Sequence, residues 1–452
     1  LVSEANDITV IDTDASRVAE LQERFDLRGL VGNAALPSTL HQAGADDADM
    51  LIAVTAGDEI NLVACKVAAD LYNIPTRIAR VRNVELQQHP TLIGEGGFRA
   101  SHVIFPEQTV TDYLLKLIEF PEALQVLEFA EGGASLIAVR AFAGGPLVSH
   151  PVKDLRRHVP GVDARIVAIF RNEASVRVDG DTFVQPGDEV FFLAPSGSIR
   201  AVMSELRRMD KPVRRVILAG GGNIGLRLAR ALDTGEGLAT PERFNVRIIE
   251  ANKRRAESLA QQLSSDVLVL HGDATDEDLL TQEGVQDADL FIALTNDDEN
   301  NIMSSLLAKR LGARRTIALI NRKSYGDLMQ GGQIDIAVSP SYATLSALLR
   351  FVRRGDVVAA HSLRRGAAEA LELIVHGDEK TSRIIGKPIE QIEMPRGATI
   401  GAVVRGSGDR AQVLMAHHDV VIEAEDHLIV FVENKRIIPR VEKLFSVGLG
   451  FF

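Results

Sequence analysis

In "RRVILAGGGNIGLRLARAL" (214–232), apolar residues first run together and then recur every three or four positions. The continuous run predicts a strand buried on both faces; the 3.6-residue period after it predicts an amphipathic helix. Glycines sit at the junction. Further apolar runs follow in "FNVRIIE", "SDVLVLHG", "ADLFIALT", "RTIALIN" and "DIAVSP", with helical patterns between most of them. Strands alternating with helices predict a doubly wound parallel sheet. The pattern then changes. "ALELIVHG", "TIGAVVRG", "QVLMAHH" and "HLIVFVEN" are short strands separated by Gly and Asp turns, closed by a helix in "RIIPRVEKLF". That is the pattern of a small α+β domain.

The same order occurs earlier in the chain. "GADDADMLIAVTAGDEINLVA" (44–64) parallels "GVQDADLFIALTNDDENNIMS" (284–304), and 15 of 39 positions are identical between 32–70 and 272–310 without a gap. "NDITVIDTD" (6–14) pairs with "NVRIIEANK" (245–253), "VIFPEQTVTDYLLKLI" (103–118) with "AVSPSYATLSALLRFV" (337–352), and "VQPGDEVFFL" (184–193) with "IEAEDHLIVF" (422–431). Repeats of this kind define the architecture before any single motif does. The fold class is α/β: two tandem doubly wound Rossmann-like domains, each followed by a small α+β domain. The expected boundaries are 1–118 and 122–208 for the first pair, 213–352 and 363–450 for the second. The first copy lacks a counterpart of the strand and glycine turn at 214–225. "LVSEAN" reads as the end of a helix, so the sequence is expected to be a fragment, with the missing element upstream.

Gly220, Gly222 and Gly225 form G-x-G-x-x-G, with Gly221 as an extra glycine. The spacing provides a tight turn, close backbone approach to a phosphate and close helix–strand packing, and it lies after a strand and before a helix, as the motif requires. Glu250 ends the second strand, where a carboxylate accepts from a ribose diol; Asp12 holds that position in the first copy. The acid favours NAD, NADH or an adenine nucleotide over NADP. Arg254 and Arg255 would counter this preference if they turned towards the ribose, but they are expected on a solvated helix face. Asn33 and Asp273 follow the third strands, where a polar group can meet adenine. Thr55-Ala56 and Thr295-Asn296 follow the fourth. Arg80 ends the next strand and is placed to reach a phosphate, with Ile320 in its place in the second copy. The acidic run Asp297, Asp298 and Glu299 is read as favourable charge at a helix start rather than a cation site.

Composition narrows the function. Net charge is −12, which argues against non-specific nucleic-acid binding. The single cysteine, Cys65, excludes a disulfide framework and a Cys-based zinc site within one chain, and is expected in the core. No apolar run is long enough to suggest a spanning helix. His417-His418-Asp419 has no partner at ligand spacing, so no metal site is expected. A dehydrogenase of this fold needs an acid or base beside the nicotinamide; no His, Lys or Cys stands in such a position, and no catalytic residue is assigned. An NAD-dependent oxidoreductase acting on a small substrate is the enzymatic alternative, and a purely structural assembly module a third.

"ADMLIAVTAGDE", "RIARVRN", "ALQVLEFAEG", "GDEVFFLAPSGSIRAVMSELRR", "GGGNIG", "TNDDENNIMSSLLAKRLGA", "SLRRG", "HGDEKTSRIIGK" and "GATIGAVVRG" carry a resemblance over essentially the whole length. The chain resembles the peripheral, NAD-binding subunit of bacterial Trk-type potassium uptake systems, with tandem RCK/KTN domains. The resemblance implies binding of NAD or NADH, with ATP or ADP as further candidates, and gating of a membrane potassium-transport subunit rather than catalysis. It implies a homo-oligomer (a tetramer, or a dimer of tandem units) that is cytoplasmic and peripheral at the inner face of the cell membrane. Carried over by position, the first site uses Asp12, Thr55, Ala56 and Arg80. The second uses the turn of Gly220, Gly221, Gly222, Asn223, Ile224 and Gly225, with Glu250, Thr295 and Asn296. The chain departs from the family in lacking the first glycine turn and in a longer loop at 233–243.

Overall fold

The computed structural model describes residues 6–172, 174–207, 211–238, 243–322, 324–325, 334–352, 357–363, 368–406 and 412–445. The start of "LVSEAN", part of the 233–243 loop and most of "SLRRG" lie outside the described residues. The chain divides into two compact units, 1–109 and 110–452.

The first unit carries β1 (Thr9–Asp12), β2 (Arg28–Val31), β3 (Met50–Ala53), β4 (Thr76–Arg80) and β5 (His102–Ile104). All pairings are parallel, but they form two sheets, β1–β2 and β3–β4–β5. Helix Asp58–Tyr72 covers the second of these with Leu62, Cys65 and Ala68, each almost wholly buried. Burial pushes the Cys65 thiol up to about 12.

The second unit begins with residues 110–119 of the helix Pro106–Glu119 and β6 (Ala123–Phe129), β7 (Ala134–Arg140), β8 (Arg165–Arg171), β9 (Ala174–Val176) and β10 (Glu189–Pro195). It continues with β11 (Arg215–Ala219), β12 (Asn245–Glu250), β13 (Val267–His271), β14 (Leu290–Ala293), β15 (Thr316–Leu319) and β16 (Ile336–Val338). These six form one parallel sheet in the order β13-β12-β11-β14-β15-β16, the doubly wound arrangement read from the alternation. β11 lies between β12 and β14. Their counterparts in the first unit, β1 and β3, belong to separate sheets, and β3 is only partly buried where β14 is buried throughout.

The last strands are β17 (Val357–Leu363), β18 (Ala368–Ile374), β19 (Ala398–Arg405), β20 (Gln412–Met415) and β21 (His427–Val432). β17 is an addition to the strands read from sequence. The two small antiparallel sheets share one topology, β6-β7-β10-β8-β9 and β17-β18-β21-β19-β20. Each is locked by a bidentate pair: Arg171 grips Asp188 through two 2.8 Å bonds, and Arg405 grips Asp426 at 2.9 and 2.8 Å. Both aspartates are about 1% exposed and also accept from a backbone N–H in the preceding turn. The sheets pack face to face through Phe129, Phe170 and Phe191 of one and Ala402, Met415 and Phe431 of the other. A Cβ on Gly401 would stand 2.6 Å from Leu193 Cδ1, so the sheets meet closely there. His417 lies at the edge of this seam, 2.7 Å from Asp163 and in contact with Arg156. No group of metal-ligating side chains occurs among the described residues.

Candidate functional site

β11 ends at Ala219, and Gly220 turns the chain with φ at 106°, the left-handed region that suits glycine. A Cβ on Gly220 would lie 3.0 Å from the Thr295 nitrogen; one on Gly225 would lie 2.1 Å from the Gly220 carbonyl oxygen. The turn is therefore pressed between the helix it opens and the end of β14. Gly221 is held at both ends. Its N–H donates to Glu250 Oε2 at 2.7 Å, and its carbonyl accepts from Arg255 Nε at 2.8 Å. The other Glu250 oxygen accepts from the Asn252 N–H at 2.8 Å.

Gly222 differs from its neighbours. It is exposed, and a Cβ there would meet nothing within 4 Å. Helix Asn223–Thr234 starts at this point with no side-chain cap. Its first-turn N–H groups have no partner within the helix and sit at the positive end of the dipole. Asn223 is exposed and Ile224 half-buried beside them. A closely packed turn with one open side and unpaired donors suits an anionic oxygen.

Thr295 and Asn296 follow β14, against whose end Gly220 is pressed. Thr295 is fixed by Asn301, which is fully buried: Asn301 Oδ1 accepts from the Thr295 N–H at 2.9 Å and hydroxyl at 2.7 Å, and its Nδ2 donates to the Thr295 and Leu319 carbonyls at 2.9 and 2.8 Å. Asn296 is exposed. The first unit repeats the device. Asn61 Oδ1 accepts from the Thr55 N–H and hydroxyl, both at 2.8 Å, and Nδ2 donates to the Thr55 and Arg80 carbonyls at 3.1 and 2.9 Å. Ala56 is exposed beside it.

Sequence reasoning passed over these asparagines, and also Asp58 and Asp298. Asp58 accepts from the Arg82 and Asn83 N–H groups, and Asp298 from those of Asn321 and Arg322. Each aspartate ties a helix start to the end of the neighbouring strand. The signal was present: Asp58/Asp298 and Asn61/Asn301 are identical pairs within the aligned repeat. Asp297 caps its helix by accepting from the Asn300 N–H. The acidic run thus forms a helix start and a strand clamp.

Two expectations change. Arg255 is not on a solvated face; its side chain is half-buried and turned to Gly221. The residue standing where Arg80 stands is Leu319, not Ile320, because the two asparagines reach the Arg80 and Leu319 carbonyls. Helix Asp58–Tyr72 has 15 residues and Asp298–Leu311 has 14, so the alignment slips by one there. Asn33 and Asp273 direct a side-chain oxygen to their own turns, accepting from Ala35 N–H at 2.9 Å and Thr275 N–H at 2.8 Å. Arg80 donates through Nη2 to the Thr55 carbonyl at 2.8 Å, while its Nε is buried without a partner. Burial and then nearby Arg82 pull its pKa below the ordinary guanidinium value. Asp12 ends β1 and Asn33 follows β2 in one sheet, whereas Thr55 and Ala56 follow β3 and Arg80 ends β4 in the other.

Residues 1–106 and 216–340 match the TrkA-N domain family, and 136–207 and 379–446 the TrkA-C domain family. The chain is 52% identical over 452 residues to a Trk system potassium uptake protein of Halomonas elongata, covering 100% of this chain and 96% of the relative. It is 50% identical over 447 residues to that of Vibrio alginolyticus, covering 99% and 95%. Of solved structures, the GsuK RCK domain is similar at 18% identity and TM-score 0.57, covering 98% of this chain and 91% of that one. The GsuK channel bound to NAD is similar at 18% and 0.57, covering 98% and 75%. At such identities the likeness shows a shared RCK fold.

Proposed function

Because the chain belongs to the family of Trk system potassium uptake proteins TrkA, we propose that it is a nucleotide-binding regulatory subunit that gates a potassium-transporting membrane partner. The nucleotide is NAD or NADH, with ATP and ADP as competitors for the same turn. Gly220–Gly225 takes the phosphates, Glu250 the ribose, and Asp273, Thr295 and Asn296 line the rest of the second site. Asp12, Asn33, Thr55, Ala56 and Arg80 serve the first. The observation that carries this reading is the turn itself: Gly221 pinned at both polar atoms, and Gly222 open above an uncapped helix start.

The bound nucleotide acts as a signal. Leu228 and Leu232 of the helix after the turn share a core with Val110, Leu114, Leu117 and Ile118 of the helix that leads into β6. A ligand that draws the turn inward moves both helices, provided it binds one arrangement more tightly than the other. No helix among the described residues is long and apolar enough to cross a membrane, and in this reading the protein works from the cytoplasmic side through its partner, as a homo-oligomer. Calorimetric titration of the full chain with NADH, NAD, ATP and ADP tests the proposal. Saturable heat with at least one supports it; none with any of the four refutes it.

A further inference from the structure

Arg255 is anchored at one end. Its Nε donates to the Gly221 carbonyl at 2.8 Å, and among the described residues its two terminal nitrogens meet no acceptor. Nor does it join an ion pair: Glu250, whose carboxylate binds the same glycine, accepts from the Gly221 and Asn252 N–H groups instead. The half-buried side chain thus holds an open guanidinium fork beside the glycine turn. Such a fork matches two oxygens of a phosphate, and anchoring at Nε removes much of the rotamer freedom that binding would otherwise cost. The first unit shows the contrast. Arg17 stands three residues after its helix cap Asp14, as Arg255 does after Asn252, but it pairs with Asp14 at 3.6 Å and its side chain is 71% exposed.

We propose that Arg255 is a further nucleotide-binding residue of the second site, its terminal nitrogens taking an anionic phosphate oxygen of the bound nucleotide. This rests on the reading of the turn as a nucleotide site. The oxygen has two possible sources with one chemistry: the pyrophosphate shared by NADH and ADP, or a 2′-phosphate on the adenosine ribose, as in NADPH.

The test titrates full-length wild type, Arg255→Ala and Arg255→Lys with NADH, ADP and NADPH at low and high salt, with melting curves alongside. Arg255→Ala should weaken binding roughly tenfold and flatten its salt dependence, since a charged contact is screened by salt. Arg255→Lys should recover part of both. Loss with NADH and ADP alike assigns the fork to the pyrophosphate; loss confined to NADPH assigns it to the 2′-phosphate. Wild-type affinities in Arg255→Ala for all three nucleotides would overturn the inference. So would weaker binding with unchanged salt dependence, which would mark Arg255 as a support for Gly221 alone. If wild type binds none of them, the reading of the turn falls and this inference with it.

Discussion

The Glu250 carboxylate meets the Gly221 N–H at 2.7 Å, tying the end of β12 to the middle of the glycine turn. The same carboxylate is the proposed ribose acceptor. Hydrogen bonds to charged groups contribute about 1.5–3 kcal/mol. Glu250→Gln should therefore lower NADH affinity roughly tenfold to a hundredfold, read by calorimetry. Glu250→Ala should lower it further. NADH binding unchanged in the alanine variant would remove the ribose role.

Two glycines of the turn should respond in different ways. A Cβ on Gly225 would collide with the Gly220 carbonyl, so Gly225→Ala should distort the turn, lower the melting temperature and abolish binding. A Cβ on Gly222 would meet nothing, and its φ of −64° suits alanine. Gly222→Ala should melt within a degree or two of wild type yet bind NADH poorly, because the methyl fills the space proposed for phosphate. Normal NADH affinity in Gly222→Ala would place the phosphate elsewhere.

Asn301→Ala should be strongly destabilising. It strands the Thr295 N–H and the Thr295 and Leu319 carbonyls beside a buried site, and leaving such groups unsatisfied costs about 1–3 kcal/mol each. Denaturant unfolding should show a loss of about 3–4 kcal/mol, the low end of that sum because neighbouring groups relax. Asn61→Ala should act alike through Thr55 and Arg80. A loss below about 0.5 kcal/mol in both, the level of an ordinary surface change, would contradict the clamp.

The Cys65 thiol is fully buried, with its pKa pushed up to about 12 from 9.0. It should react slowly with a disulfide reagent in the native protein and rapidly once unfolded. Below pH 9 the thiol is protonated in both states and has no effect. Between pH 9 and about 12 it ionises in the unfolded chain alone, so stability falls as pH rises. A Cys65→Ala variant should lose that part of the alkaline decline.

The strands, the glycine turn and the duplication were legible because apolar runs and a repeat encode them directly. The clamps were not. Asn61, Asn301, Asp58 and Asp298 act through side-chain bonds to backbone of a neighbouring strand, which no hydrophobic period records, although their identity across the repeat marked them. Arg255 was misplaced because a helix-start arginine after an acidic residue reads as surface charge; its bond to Gly221 depends on where the turn lies in space. The exchange of Ile320 for Leu319 came from a one-residue difference in helix length, which a gap-free alignment hides. β17 was missed because "VVAAHSL" ends without a distinct turn signal and runs into "RRG".

The nucleotide is proposed to bind at the Gly220–Gly225 turn and to leave unconsumed. Titration of the full chain with NADH, followed by binding heat and by absorbance of the reduced nicotinamide, tests this most directly. Wild type should give saturable heat, Gly225→Ala should give none, and the absorbance should stay constant throughout. Absence of heat in wild type, or heat that survives intact in Gly225→Ala, would contradict that proposal.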